Sequence, residues 1–174
     1  VPGRSAVARR IRGEVALAAR SRSPVLICGP TGTGKEYAAS ELHRRSGRTG
    51  PLVRLNVAAV PGDLFESEIF GHVRGAFTSA NAARQGRLRE ADGGTLVLDE
   101  IGSLAEPMQA KLLRVLEDGR VRPVGGSVDH PVDVRFVSST NADLEALVGA
   151  GRFRRDLAAR LRGHQIELER LAAR

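Results

Sequence analysis

Gly29-Pro30-Thr31-Gly32-Thr33-Gly34-Lys35 has the residue types and spacing of a loop that holds phosphates. It follows the apolar run Val25-Leu26-Ile27-Cys28 and opens a stretch with helical spacing, which is the context such a loop requires. Glycines let the backbone approach an anion closely, and successive N–H groups at a helix start then face it. Lys35 supplies a charge for the β and γ phosphates. Glu36 stands where a Ser or Thr usually ligates magnesium. A second apolar run, Leu96-Val97-Leu98, ends in Asp99-Glu100. Two carboxylates at the end of a strand, downstream of a phosphate loop, suggest nucleotide hydrolysis. Asp99 would hold Mg²⁺, through water, and Glu100 would orient or activate the attacking water.

Other candidates are less specific. Asn56 and Thr140-Asn141 each end an apolar run. Either amide could sense a γ-phosphate or simply cap a turn, as Asn often does. Arg154 and Arg160 flank a helical stretch six positions apart, with Arg152, Arg155 and Arg162 nearby, so a solvated basic helix is the plain reading. Cys28 closes a buried strand and reads as a small core hydrophobe. The four histidines are too scattered for a metal cluster.

These residues need a frame, and the periodicity supplies one. Short apolar runs at 25–28, 52–55, 95–98 and 134–137, with a further short one at 166–168, alternate with helical spacing at 4–20, 34–45, 62–70, 105–118, 143–150 and 153–161. Asp63 is placed as the cap of the third helix. Alternation of this kind predicts an α/β fold: a parallel five-stranded sheet with helices on both faces. Ligands of such sheets bind at the carboxyl ends of the strands, where Asp99, Glu100 and Asn141 fall. Residues 71–86 fit neither period and form a long connection, of the kind that usually carries function. Within its segment Gly75-Ala76-Phe77-Thr78-Ser79-Ala80, the residues Gly75, Ala76, Ser79 and Ala80 offer little area to bury. It is expected to project and to lack fixed order, and a lone Phe77 there is by spacing alone more often tucked in than offered outward.

The 174 residues suit one domain. No apolar run approaches the roughly 20 residues needed to cross a bilayer, and no signal-peptide pattern opens the chain. With a single cysteine it reads as cytoplasmic. The net charge of +7 comes almost wholly from scattered arginines with few aromatics, so direct nucleic-acid binding by this segment is not expected. The missing initiator Met and the abrupt end suggest a domain excised from a longer protein.

Taken together, the motifs resemble the central AAA+ P-loop ATPase domain of bacterial enhancer-binding proteins, the activators of sigma-54 RNA polymerase. The resemblance runs from about Gly3 to the end. It rests on residues 29–36 with their Gly-Lys-Glu ending, Glu66-Ser67-Glu68-Ile69-Phe70-Gly71-His72, residues 75–80, 93–102 and 109–117, Val124-Gly125-Gly126, Thr140-Asn141, and Gly151-Arg152-Phe153-Arg154-Arg155-Asp156-Leu157 with Arg160-Leu161. It implies a homo-oligomeric ring, commonly a hexamer, with ATP and Mg²⁺ between subunits. It makes Arg154 and Arg160 arginine fingers for the neighbour's γ-phosphate, Asn141 a sensor, and Asn56 the switch that pairs with Glu100. It makes Gly75, Ala76, Phe77, Thr78, Ser79 and Ala80 the loop that grips sigma-54, with Phe77 at its tip. DNA would be reached only through a separate domain, and the helical lid subdomain lies outside this segment. Three positions depart from the family pattern: Ser79 replaces a glycine, Arg89 a glutamate and Pro123 an arginine. They favour an alternative in which the fold and nucleotide remain, sigma-54 engagement is lost, and transcription is regulated by nucleotide-controlled oligomerisation on DNA.

Overall fold

The computed structural model describes residues 6–169. In chain order it contains α1 (Ala6–Arg20), β1 (Val25–Cys28), α2 (Lys35–Arg45), β2 (Leu52–Asn56), α3 (Gly62–Phe70), β3 (Gly71–His72), β4 (Arg84–Gln85), α4 (Arg87–Glu90), β5 (Thr95–Asp99), α5 (Glu106–Asp118), β6 (Arg120–Val121), β7 (His130–Pro131), β8 (Arg135–Thr140), α6 (Leu144–Gly149), α7 (Arg155–Leu161) and β9 (His164–Glu167). The central sheet has five parallel strands in the order β2-β5-β8-β1-β9. The expected α/β sheet is therefore present, with a short helix and two small strand pairs that the periodicity did not show.

Alternation along the strands divides the core in two. Leu26, Leu96, Leu98 and Phe136 face α3, α5 and α7, where Ile69, Leu112, Leu157 and Leu161 are buried. Val25, Ile27, Val97, Val137 and Ile166 face α1 and α2, where Ile11, Val15, Ala38 and Leu42 complete a second cluster. A strand covered on both faces needs apolar residues on both, which is why these runs are nearly continuous. Buried Arg135 donates to the carbonyls of Ala19 at 3.0 Å and Ala18 at 2.5 Å, closing the C-terminal end of α1. Burial pushes its pKa below the ordinary arginine value, with the Arg48 charge adding to the effect.

Two local expectations need correction. Asp63 does not cap α3: Pro61 holds that position without a side-chain bond, and Asp63 lies in the first turn, where a carboxylate still suits the helix dipole. Residues 71–86 are closed at their base, where β3 pairs antiparallel with β4. An Arg84–Glu68 ion pair ties the return strand to α3. Gly86 lies so close to the backbone of Gly71, Phe70 and Ile69 that a Cβ there would collide with it. Gly86→Ala should separate β3 from β4 and cost about 1–3 kcal/mol, the range for overpacking. Amide exchange at 71–86 should accelerate while that of β5 and β8 stays slow. Unchanged exchange in the hairpin would show that the close approach is unimportant.

Candidate nucleotide site

The phosphate loop sits between β1 and α2 at the carboxyl edge of the sheet. Gly32 (φ 82°) and Gly34 (φ 90°) have open space around them, so it is the left-handed backbone, not crowding, that calls for glycine. Gly34 caps α2 without a side-chain bond, leaving the first helical N–H groups for a ligand. Thr33 Oγ1 donates to Pro30 O at 2.8 Å and braces the loop. Lys35 Nζ is folded into it, donating to Gly29 O at 2.8 Å and Pro30 O at 3.3 Å. Cys28, just before the loop, is half-buried; burial raises its thiol pKa, with Glu167 adding, so it is a poor nucleophile, as its core reading suggests.

Strand register brings the other candidates to this loop. Asn56 pairs across from Asp99 on neighbouring β2 and β5, and Thr140 pairs across from Cys28. Thr31, Gly32, Gly34, Lys35, Glu36, Asn56, Asp99 and Glu100 line one cleft, joined by Tyr37 and Ser139. Glu100 Oε1 is 3.8 Å from Lys35 Nζ, and its Oε2 accepts from the Asn141 N–H at 3.3 Å. Glu100 has φ 55° and ψ 48°, the one non-glycine at positive φ among the described residues. Such a conformation costs on the order of 1–3 kcal/mol and persists where surrounding structure imposes it, commonly at functional sites.

The two asparagines differ in the atoms they use. Asn56 lines the cleft, but its Oδ1 accepts from Ala58 N at 2.9 Å, so the turn-capping reading holds in this conformation. Among the described residues it makes no hydrogen bond with Glu100. Asn141 contributes its backbone N–H to Glu100, and its side chain is exposed.

Arg154 and Arg160 are not part of their own subunit's cleft. Arg154 caps α7; its guanidinium bonds Asp156 at 3.1 and 2.7 Å and holds that carboxyl below the ordinary aspartate pKa. Arg160 Nη2 donates to Leu116 O at 3.1 Å. Both are exposed. The sequence pattern does not single out the residue that places Arg154. Gln109 is fully buried, donating to Leu104 O at 2.7 Å and Arg152 O at 3.0 Å and accepting from Arg154 N at 2.7 Å.

In the 75–80 segment Phe77 is 36% exposed, between the two expectations for it. Its ring meets His72 edge-on, centroids 4.9 Å apart. His72 is pinned between Ser67 Oγ (2.7 Å) and Ala82 O (3.0 Å). Ala80 is buried, contrary to the expectation that it buries little. Its N–H donates to Phe77 O, and its carbonyl accepts from Gly75 N, both at 2.9 Å. Ser79 is exposed and not at positive φ, so this conformation does not need the glycine it replaces. Ala76 packs on Gly125, and Val73 N donates to Val124 O, which accounts for the place of Val124-Gly125-Gly126 in the pattern.

A family model described as the sigma-54 interaction domain matches residues 1–167. The chain belongs to the sigma-54 interaction domain family. It is 49% identical over its whole length to a Nif-specific regulatory protein of Azotobacter vinelandii, covering 34% of that protein. It is 52% identical over 89% of its length to the DNA-binding transcriptional regulator NtrC of Klebsiella pneumoniae, covering 33% of it. Among solved structures, NtrX from Brucella abortus in complex with ATP superimposes with a TM-score of 0.91 at 37% identity, covering all of this chain and 39% of that one. The chain thus spans about one third of the length of the relatives it matches. The cleft lined by Thr31, Gly32, Gly34, Lys35, Glu36, Asp99 and Glu100 has the residue types and geometry that a P-loop nucleotide site requires.

Proposed function

We propose that this sigma-54 interaction domain is an ATPase of the AAA+ class. It binds ATP in the cleft of Lys35, Asp99 and Glu100, and hydrolyses it at subunit boundaries of a homo-oligomeric, hexameric ring in the cytoplasm. The cycle drives residues 75–80 against sigma-54 RNA polymerase. The observation that carries this reading is the convergence of an uncapped helix start, a buried-edge lysine and two strand-end carboxylates in one cleft. An ATP-bound relative of closely similar fold supports it. Among the described residues no helix is long and apolar enough to cross a membrane.

The donor set suits Mg²⁺. The described residues contain no group of three or more His, Cys, Asp or Glu that could hold a metal by themselves, but Asp99, Glu100 and Glu36 line one cleft and carry hard carboxylate oxygens. Such a site fits an ion held mainly by phosphate oxygens and water, with Asp99 as its protein anchor. When bound, the ion would neutralise charge on the phosphates. The N–H groups of α2 and the Lys35 ammonium bind and orient the phosphate chain. Glu100, aimed by the Asn141 N–H, holds the attacking water and takes its proton. Arg154 and Arg160 from the adjacent subunit meet charge developing on the γ-phosphate.

The loop decides between this function and a regulator that keeps the fold but no longer engages sigma-54. Arg89 and Pro123 favour the latter; the unstrained Ser79 and exposed Phe77 favour the former. Phe77→Ala should leave ATP hydrolysis within about twofold and abolish capture of sigma-54 in the presence of a transition-state ATP analogue, since an aromatic anchor dominates a small interface. Ser79→Gly should change that capture less than about threefold. If Phe77→Ala leaves both sigma-54 capture and transcription at the native promoter unchanged, the second reading replaces the first.

A further inference from the structure

Ser139 stands beside Asp99 in a way that the phosphate-loop chemistry does not require. β5 and β8 are paired so that Leu98 lies opposite Ser138, which makes Asp99 and Ser139 the next neighbours across the two strands. Ser139 is 1% exposed, yet its residue lines the nucleotide cleft. Its Oγ donates to Asp99 Oδ1 at 2.7 Å. One carboxylate oxygen is thereby committed to the neighbouring strand, on a residue that lines the cleft. Ser138, immediately before it, is fully buried and its hydroxyl has no hydrogen-bond partner among the described residues. The two neighbouring serines therefore differ in what their hydroxyls do, and only one of them is tied to the site.

Resting on the ATPase reading above, we propose that Ser139 is a positioning residue. It fixes the rotamer of Asp99 so that Oδ2 holds the water shell of the nucleotide-bound Mg²⁺. A carboxylate on an unbranched Cβ has free rotation about two bonds, and a hydrogen bond to one oxygen removes most of that freedom before the ion arrives. Partners of this kind, one step removed from a metal, commonly change metal affinity 10–100-fold. Ser139 touches neither the phosphates nor the attacking water in this role, so it acts on the metal dependence of binding and not on the chemical step.

The test compares wild type, Ser139→Ala, Ser139→Thr and Ser138→Ala. Affinity for ATP is measured in EDTA and across a Mg²⁺ titration, with Mn²⁺ binding to the ADP complex followed by electron paramagnetic resonance. Ser139→Ala should bind ATP in EDTA as wild type does, while its Mg²⁺ midpoint and Mn²⁺ dissociation constant rise roughly tenfold. Ser139→Thr, which keeps the hydroxyl, should restore most of the difference. Ser138→Ala should titrate like wild type, because it removes only a hydroxyl that bonds nothing. Far-ultraviolet circular dichroism and thermal midpoints establish that each variant is folded. Superimposable Mg²⁺ curves for Ser139→Ala and wild type overturn the inference and leave the ATPase reading intact, as does an equal shift in Ser138→Ala. A wild-type protein that binds no ATP at all overturns that reading, and this inference with it.

Discussion

Arg154→Ala and Arg160→Ala should each lower ATP hydrolysis by roughly 10³–10⁵-fold, the contribution of an arginine finger in related phosphoryl transfer. Folding and ATP binding should be almost untouched. Neither side chain lines its own cleft, and both are exposed, so the proposed ring has the loss arise at a neighbour's nucleotide. Mixing either variant with Lys35→Ala subunits tests that directly. A sound phosphate loop on one subunit then meets a sound arginine on the next, and part of the activity should return. No recovery, in rings shown to contain both subunits, would mean that these arginines do not act across an interface. The resting geometry adds a gradation. Arg154 must leave Asp156 to reach a phosphate, whereas Arg160 gives up one carbonyl bond. Asp156→Asn weakens the competing partner and should raise activity in rings by a fewfold; a fall would mean that the carboxylate aims the guanidinium.

How much of this was legible beforehand follows from where each residue's partners lie in the chain. β1 is bracketed by Pro24 and Gly29, so four residues of local sequence determine it. The apolar run predicts a strand over 134–137, whereas β8 runs Arg135–Thr140, because Ser138, Ser139 and Thr140 look like a turn until neighbouring strands bury them. The pattern predicts the last strand at 166–168, whereas β9 occupies His164–Glu167, where an edge strand keeps polar residues facing out. The β3–β4 hairpin has strands of two residues each, too short for any period to register. Within the site, Lys35, Asp99 and Glu100 were readable because a phosphate site is built from contiguous loops. Gln109 was not: it sits on an amphipathic helix as an ordinary polar residue, and its three partners, Leu104, Arg152 and Arg154, mostly lie over forty positions away. Asn56 carried two readings from the start, and the local cap is the one this conformation uses.

Glu100→Gln should trap ATP. Hydrolysis should fall by about 10²–10⁴-fold, the usual contribution of a general base, while ATP affinity stays near that of wild type. The glutamine is isosteric and its amide oxygen can still accept the Asn141 N–H, so the local geometry survives and the loss isolates proton acceptance. Lys35→Ala should do the opposite and abolish nucleotide binding, because the ammonium is the one cation lining the cleft among the described residues. A third variant separates catalysis from folding. Glu100 is held at φ 55°, where a side chain is strained and glycine is not. Glu100→Gly should therefore keep or raise the thermal midpoint while hydrolysis falls as far as in Glu100→Gln. A stable but inactive Glu100→Gly would identify the strain as something retained for the position of the carboxylate. Wild-type hydrolysis by Glu100→Gln would instead remove Glu100 from the chemistry, and a marked drop in the midpoint of Glu100→Gly would mean that the carboxylate's contacts with Lys35 and Asn141 outweigh the strain they impose.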